Sequence, residues 1–302
     1  MSLAQSVRQR LLNLSRETTE PYNLILTRFA LERLLYRISR SKWNKDFLLK
    51  GAMLFSTWQN APHRPTRDLD LMKYGNTSIN YLKEVFQSLC RMEVEDDGIE
   101  FIAESVKCAD IREGNIYQGM RVKLEAVLAG AKLRLQIDIG FGDAVVPEPE
   151  HIIYPTLLEF PAPRILAYSR YTMVAEKFHA MFTLGIANSR MKDFYDLWVM
   201  SQKFDYAGAV LCKAIEATFK RQGTGITSQV PIALTGFFSG DAVKKAQWNA
   251  FLRKNRFDME EKDLAIIIGV LRGFLLPPLS ALANKQDFQQ KWSAGGPWDL
   301  LP

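Results

Sequence analysis

The sequence predicts an α+β chain, with a mixed sheet flanked by helices over residues 1–150 and a mainly helical C-terminal domain over residues 151–302. Three observations predict it. Segments between residues 99 and 140 alternate apolar and polar side chains with the period of half-buried strands. Prolines at 147, 149, 155, 161 and 163 interrupt helix and central strand alike, and from residue 170 onward the apolar spacing turns helical.

The elements follow in order. Leu24, Leu26, Phe29, Leu31, Leu34, Leu35 and Ile38 form the apolar stripe of a helix over 22–39. Leu48-Leu49 then runs into Lys50-Gly51-Ala52 and Met53-Leu54-Phe55, and a loop rich in proline and basic residues, Ala61 to Thr66, leads to a strand holding Asp68. A helix is expected at about 78–90 and strands at about 99–108, 117–128 and 131–140. The last two pair as a hairpin, because Met120, Val122, Leu124, Ala126 and Leu128 alternate with polar neighbours, Leu133, Leu135, Ile137 and Ile139 do the same, and Ala129-Gly130 supplies the turn. Helices are expected at about 170–184, 190–203, 206–221, 240–254 and 261–275, and Gly295-Gly296-Pro297 opens a loosely held tail. A cleft is expected between the two domains.

Composition narrows the class. The 302 residues are 47% hydrophobic and 24% charged, the balance of an ordinary soluble protein. No apolar run reaches the ~18 residues of a membrane span and the N-terminus lacks a secretion pattern, so a cytoplasmic protein with no membrane partner is expected. Cys90, Cys108 and Cys212 are scattered and odd in number, which points to free thiols rather than disulfides or zinc. His63, His151 and His179 form no ligand pattern, and His63 reads as a loop residue. A formal charge of +6 permits an acidic partner such as nucleic acid. Basic clusters stand at Arg28–Lys42, Lys244-Lys245 and Arg253–Arg256, each more economically explained as a solvated helix face.

Chemistry is concentrated in Arg64-Pro-Thr-Arg-Asp-Leu-Asp-Leu71, which sets two carboxylates at i and i+2 in an apolar frame. On a strand such side chains share a face roughly 6.5–7 Å apart, so Asp68 and Asp70 can lean together around Mg²⁺ while Leu69 and Leu71 enter the core. Carboxylates so placed can bracket ions about 3.5–4 Å apart, the separation used for in-line phosphoryl or nucleotidyl transfer. Asp-x-Asp is also common on solvated strand faces and in turns. Asp138 projects from the polar side of its own strand, and three carboxylates gathered without a cation would repel, so a divalent metal is the natural neutraliser if the strands are neighbours. At Lys50-Gly51, glycine can let backbone amides approach a triphosphate, although an ordinary turn explains it too.

A second charged pair has helical spacing. Lys177 falls about 80° from the centre of the face marked by Val174, Phe178, Met181 and Phe182, and Asp193 holds the same flank of the next helix, whose inner face is Phe194, Leu197, Trp198 and Ser201. Both charges are expected at the border of the core, able to face a cleft without burial, with Asp196 further round toward solvent and Lys192 outward. A lysine there can neutralise a triphosphate as a compact charge; a weak ion pair between border residues is the alternative.

Taken in order, Lys50-Gly51-Ala52, Arg64-x-Thr66-x-Asp68-Leu69-Asp70, Gln136-Ile137-Asp138-Ile139, Ala175-Glu176-Lys177-Phe178 and Arg190-Met191-Lys192-Asp193-Phe194-Tyr195-Asp196-Leu197 resemble the motifs of the AbiEii-type nucleotidyltransferase toxins of bacterial abortive-infection (phage-defence) and toxin–antitoxin systems, over about residues 20–205. The resemblance implies a minimal nucleotidyltransferase core. In it Asp68, Asp70 and, as third carboxylate, Asp138 are the metal ligands for Mg²⁺ or Mn²⁺, Lys177 contacts the triphosphate, and Asp193 is the essential acid of the last motif. Lys50, Gly51, Ala52 and Thr66 stand on the nucleotide side. The resemblance further implies an NTP substrate, an RNA acceptor such as the tRNA 3′ end or a protein hydroxyl, and a winged-helix antitoxin encoded alongside. The serine that often follows the motif glycine is Ala52 here, so this turn must work through backbone amides. The same residues also admit a nucleotidyltransferase acting on a small molecule, or a catalytically silent nucleotide- or RNA-binding module.

Overall fold

A computed structural model describes residues 2–59, 64–113, 116–257 and 263–300, with the backbone alone described at 59 and, within 112–118, at 112, 113 and 116–118. His63 and most of its loop lie outside the described residues. The chain forms two compact units, Met1–Asp143 with Pro149–Ala167, and Ala144–Glu148 with Tyr168–Pro302.

Unit one opens with a helix that the sequence reading leaves out, α1 (Leu3–Thr18). Its start is fixed reciprocally: the Ser2 hydroxyl accepts the Gln5 N–H and the Gln5 side chain accepts the Ser2 N–H. The expected second helix, α2, runs Tyr22–Arg40. There follow β1 (Phe47–Lys50), a 3-10 turn at Gly51–Leu54, α3 (Phe55–Gln59), β2 (Asp68–Lys73), α4 (Ile79–Cys90), β3 (Ile99–Glu113), β4 (Ile116–Leu128), β5 (Ala131–Phe141), β6 (Glu150–Ile153) and β7 (Arg164–Ala167). These strands make one mixed sheet in the order β3-β4-β5-β2-β1-β7-β6, parallel at β2–β5 and β1–β7 and antiparallel elsewhere.

The alternation read from the sequence decides which face of this sheet is dry. Leu133, Leu135, Ile137 and Ile139 of β5 and Leu69 and Leu71 of β2 are buried, and each such side chain contributes about 1.5–3 kcal/mol. The polar set of β5, Lys132, Arg134, Gln136 and Asp138, takes the other face, exposed or half-buried. Ala129 (φ 46°) and Gly130 (φ 80°) close the β4–β5 hairpin with two left-handed residues, the geometry that suits the right-handed twist of the strands, and pair Leu128 with Ala131.

Two expectations are corrected in this unit. The proline-rich stretch supplies β6 and β7 to the sheet, so the seam falls at 167/168 rather than 150/151, with 144–148 assigned to unit two. The prolines fit because 155, 161 and 163 lie between these short strands, where no ladder N–H is lost. The basic residues of α2 do not all face solvent. Arg37 forks onto Asp97 at 2.7 and 3.3 Å, and Arg33 pairs with Glu32 at 2.9 Å while donating to the Pro161 carbonyl. Burial pushes the Glu32 carboxyl up to about 7, against the opposing pull of Arg33 and of the Leu157 N–H that it accepts at 2.7 Å.

Unit two comprises α5 (Arg170–Leu184), α6 (Met191–Lys203), β8 (Tyr206–Ala207), α7 (Gly208–Arg221), α8 (Gly236–Gly240), α9 (Ala242–Asn255), α10 (Leu264–Ala283), β9 (Gln290–Trp292) and β10 (Trp298–Leu300). Helix α10 is longer than the sequence suggests and contains Pro277 and Pro278 in its last turns. A proline removes the N–H that would bond the carbonyl four residues back. For Pro278 that carbonyl is Phe274, and the Trp298 indole N–H donates to it at 2.9 Å. At 20 residues and mean hydropathy 1.9, α10 is long and apolar enough to cross a membrane, contrary to the expectation that no such run exists; half of that stretch is buried inside the protein, as in the core helix of a domain.

The C-terminal segment is not a loose tail. Strands β8, β9 and β10 form a small antiparallel sheet, Trp292 is buried, and its indole N–H donates to the Ser201 carbonyl at 2.7 Å.

Candidate active site

The sheet brings the three expected carboxylates to one place. Asp68 and Asp70 alternate with the buried Leu69 and Leu71 along β2, and the parallel ladder sets Asp70 directly opposite Asp138 of β5 and Asp68 opposite Gln136. Neighbouring strands lie about 4.7–4.9 Å apart. Asp68 and Asp70 are half-buried and Asp138 keeps 22% of its side chain exposed, so the cluster is open to ligands without standing in bulk water.

A residue that the sequence reading leaves aside, Arg121, completes this face. It lies opposite Asp138 in the β4–β5 ladder and forks onto it, Nε to Oδ1 at 2.8 Å and Nη2 to Oδ2 at 2.7 Å. The pair raises the arginine pKa, first through these hydrogen bonds and then through the charges of Asp138, Asp68 and Asp70. Two-residue turn geometry was the available signal, since pairing Leu128 with Ala131 leads by counting to Arg121 against Asp138.

Lys50, Gly51 and Ala52 border the same strand. Lys50 is opposite Asp70 in the antiparallel β1–β2 ladder, and its ammonium reaches Asp143 Oδ2 at 2.7 Å, an acid that the sequence did not point to. Gly51 has φ +72°, and a Cβ built there would stand 2.1 Å from Asp70 Oδ2. Only glycine lets the Asp70 carboxylate lie against the backbone here. Ala52 is 4% exposed, so its methyl belongs to the core. The Thr66 hydroxyl, half-buried, donates to the Asp68 carbonyl at 3.4 Å and holds the entry to β2.

The donor set suits Mg²⁺ in one arrangement. This ion is usually held by one or two carboxylates together with substrate phosphates, rather than by an all-protein cage. Asp68 and Asp70 could supply that pair. Among the described residues no three Asp, Glu, His or Cys side chains stand so as to hold an ion by themselves, and both oxygens of Asp138 engage Arg121.

Lys177 and Asp193 belong to unit two. The Lys177 ammonium lies 2.7 Å from Asp193 Oδ1 and 2.8 Å from Asp196 Oδ2, tying α5 to α6. Arg190 Nε approaches Asp193 Oδ2 at 2.6 Å, close enough for an ion pair though the angle is poor for a hydrogen bond. Both carboxylates are fully buried, which corrects the placement of Asp193 at an open border and of Asp196 toward solvent. Helix α6 is enclosed nearly all round, so the flank of its apolar face is interior as well. Burial raises the Asp193 pKa and Lys177 and Arg190 lower it; the cations win, leaving it below the ordinary carboxylate range. Lys192 is exposed, as expected.

Comparison with known proteins decides the family. The sequence model of the family described as nucleotidyl transferase AbiEii toxin, type IV TA system, matches residues 33–285. The chain belongs to the AbiEii family. The match runs some 80 residues beyond the motifs legible in the sequence and takes in most of unit two. An AbiEii protein is a nucleotidyltransferase and the toxin of a toxin–antitoxin pair, so a nucleotide substrate and an antitoxin partner come with the family. Two solved structures are similar over most of their length. JHP933 from Helicobacter pylori has a TM-score of 0.47 and 13% identity over 87% of this chain and 90% of its own. A "putative nucleotidyltransferase" from H. pylori has a TM-score of 0.45 and 13% identity over 86% and 93%. No curated protein matches the chain.

Proposed function

We propose that this AbiEii toxin is an Mg²⁺-dependent enzyme that moves a nucleoside monophosphate from an NTP to a hydroxyl of RNA, such as the tRNA 3′ end, or of a protein. The observation that carries the reading is the carboxylate face itself: Asp68 and Asp70 on one side of β2, with Asp138 in register and Gly51 shaped around Asp70. A bound Mg²⁺ would supply charge neutralisation at the phosphates and leaving group. The chain's own residues do the rest. Asp68 and Asp70 would hold the ion, while Asp138, held by Arg121, presents an aligned carboxylate to the acceptor side. The acceptor oxygen attacks the α-phosphorus, the α–β anhydride bond breaks, pyrophosphate leaves, and the hydroxyl proton passes to a carboxylate or to water.

In this reading Lys50, Gly51, Ala52 and Thr66 line the nucleotide side, Ala52 through its backbone. Lys177 has two candidate roles. Triphosphate contact is the one its family motif implies, and the cross-link from α5 to α6 is the one its two buried carboxylates support. Asp193 serves the same cross-link. The proposed antitoxin is a winged-helix protein, and the setting is phage defence in the cytoplasm.

The test is to supply each of the four labelled NTPs, with Mg²⁺, to a cell extract and follow label into RNA, protein or small molecules. Label in RNA or protein with the parent and not with Asp70→Asn supports the proposal. Label confined to a small metabolite would select small-molecule transfer, and none with any NTP would leave a silent binding module.

A further inference from the structure

Arg121 has no part in the motifs read from the sequence, yet it is bound directly to the carboxylate face. Its guanidinium makes two hydrogen bonds to Asp138, one to each oxygen, and also interacts with the charges of Asp68 and Asp70. The Gln136 amide adds a longer contact to Asp138 Oδ2 at 3.4 Å. The pair is part of the sheet, set by the β4–β5 register, and not a surface accident. A planar fork engaging both oxygens of one carboxylate gives direction as well as charge.

We propose that Arg121 is a resident counter-cation of this face: it holds Asp138 away from the ion and keeps metal affinity low until nucleotide phosphates arrive. The inference rests on the reading of Asp68 and Asp70 as metal ligands. Its physical basis is the competition between a fixed positive charge and an incoming one for the same carboxylates. A cation a few ångströms away opposes a divalent ion electrostatically, and the fork removes Asp138 from the donor set without removing its charge. The ion then binds strongly only when phosphate oxygens complete its shell, which couples metal binding to substrate binding. Arg121 is a positioning residue in this account, since it acts through Asp138.

The consequence runs against the usual effect of deleting an active-site arginine. Arg121→Gln should bind Mn²⁺ in the absence of nucleotide about tenfold or more tightly than the parent, because one opposing charge is gone and Asp138 joins the donors. Its metal-free thermal midpoint should fall, and saturating Mn²⁺ should close the gap. Arg121→Lys, which keeps the charge and loses the fork, should bind with intermediate affinity.

Calorimetric titration of the full chain with Mn²⁺ alone decides it, with Asp70→Asn as the control. Tighter binding by Arg121→Gln, or by Arg121→Lys if the glutamine variant does not fold, supports the proposal. Equal or weaker binding by the variant that folds overturns it. If Asp70→Asn binds Mn²⁺ as the parent does, the metal-site reading fails instead, and with it the premise.

Discussion

The two acidic clusters of this protein use the same residue types and end in opposite states. On the sheet of unit one, Asp138 and Arg121 pair with 22% and 38% of their side chains exposed, beside half-buried Asp68 and Asp70. In unit two, Asp193 and Asp196 are fully buried and face Lys177 and Arg190. An open cluster can exchange partners with a ligand. A sealed one has spent the hydration of its charges and keeps its partners, so its removal is felt first as stability. The motif that reads as catalytic at the helices is thus also architectural, whereas the strand motif holds its carboxylates at the surface of a rigid sheet.

The largest expected effect breaks the sealed cluster. Lys177→Met leaves two buried carboxylates without their shared cation and should cost about 3–5 kcal/mol, seen as a lowered denaturation midpoint. Lys192→Ala, on the exposed side of the same motif, should leave the midpoint within error and weaken NTP binding less. A Lys177→Met protein of parental stability would remove the contrast between the clusters. Asp196→Asn should also destabilise, since its carboxylate is as buried as that of Asp193.

Next comes Gly51→Ala, which deletes no functional group. Its Cβ would collide with Asp70 Oδ2 and the residue would hold φ near +72°, a strain of about 1–2 kcal/mol for a non-glycine residue. Displacing Asp70 should impair transfer more than it impairs folding, a combination that activity and thermal melts on one sample would show. Parental activity would mean that Asp70 tolerates displacement and the close approach is ordinary turn packing.

The pH response sharpens the same contrast through its sign. Glu32 is raised to about 7, so the folded protein binds the extra proton and stability falls as pH rises from about 4.5 to about 7. Over that interval the loss is at most about 3.5 kcal/mol. Glu32→Gln should flatten the slope of unfolding free energy against pH there. Asp193 is lowered, so its contribution is present above the unfolded value and is lost only as pH falls through the folded one, below the range where Glu32 acts. A slope unaltered in Glu32→Gln would assign the pH response to other groups.

The smallest effect is expected at Arg134, which is 92% exposed and 3.7 Å from Glu125 on the open sheet face. Arg134→Ala should change neither midpoint nor turnover measurably. Such a pair is screened by solvent.

What was legible in the sequence follows from how far each signal reaches along the chain. Alternation in β4 and β5 and the Ala129-Gly130 turn are local, so the hairpin and the face of Asp138 could be read, and Arg121 could have been found by counting across it. The parallel partnership of β2 with β5 links residues 68 apart, and no local pattern sets that offset. The resemblance bridged it. Helical wheels failed at Asp196 because they assume one wet face, and α6 is buried nearly all round. The short strands β6 to β10, two to four residues each, gave no periodicity to read, and the prolines of α10 concealed the last turns of an expected helix, whose freed carbonyl is satisfied by a tryptophan 24 residues on.

The central claim is that the open carboxylates on β2 perform the chemistry. Its most direct measurement is the rate of labelled nucleotide transfer by Asp70→Asn, taken together with its thermal midpoint under the same buffer and Mg²⁺. The account predicts transfer lowered at least ~100-fold, about 2.7 kcal/mol of transition-state stabilisation, with the midpoint within a few degrees of the parent. Transfer at the parental rate from a folded Asp70→Asn protein would contradict it.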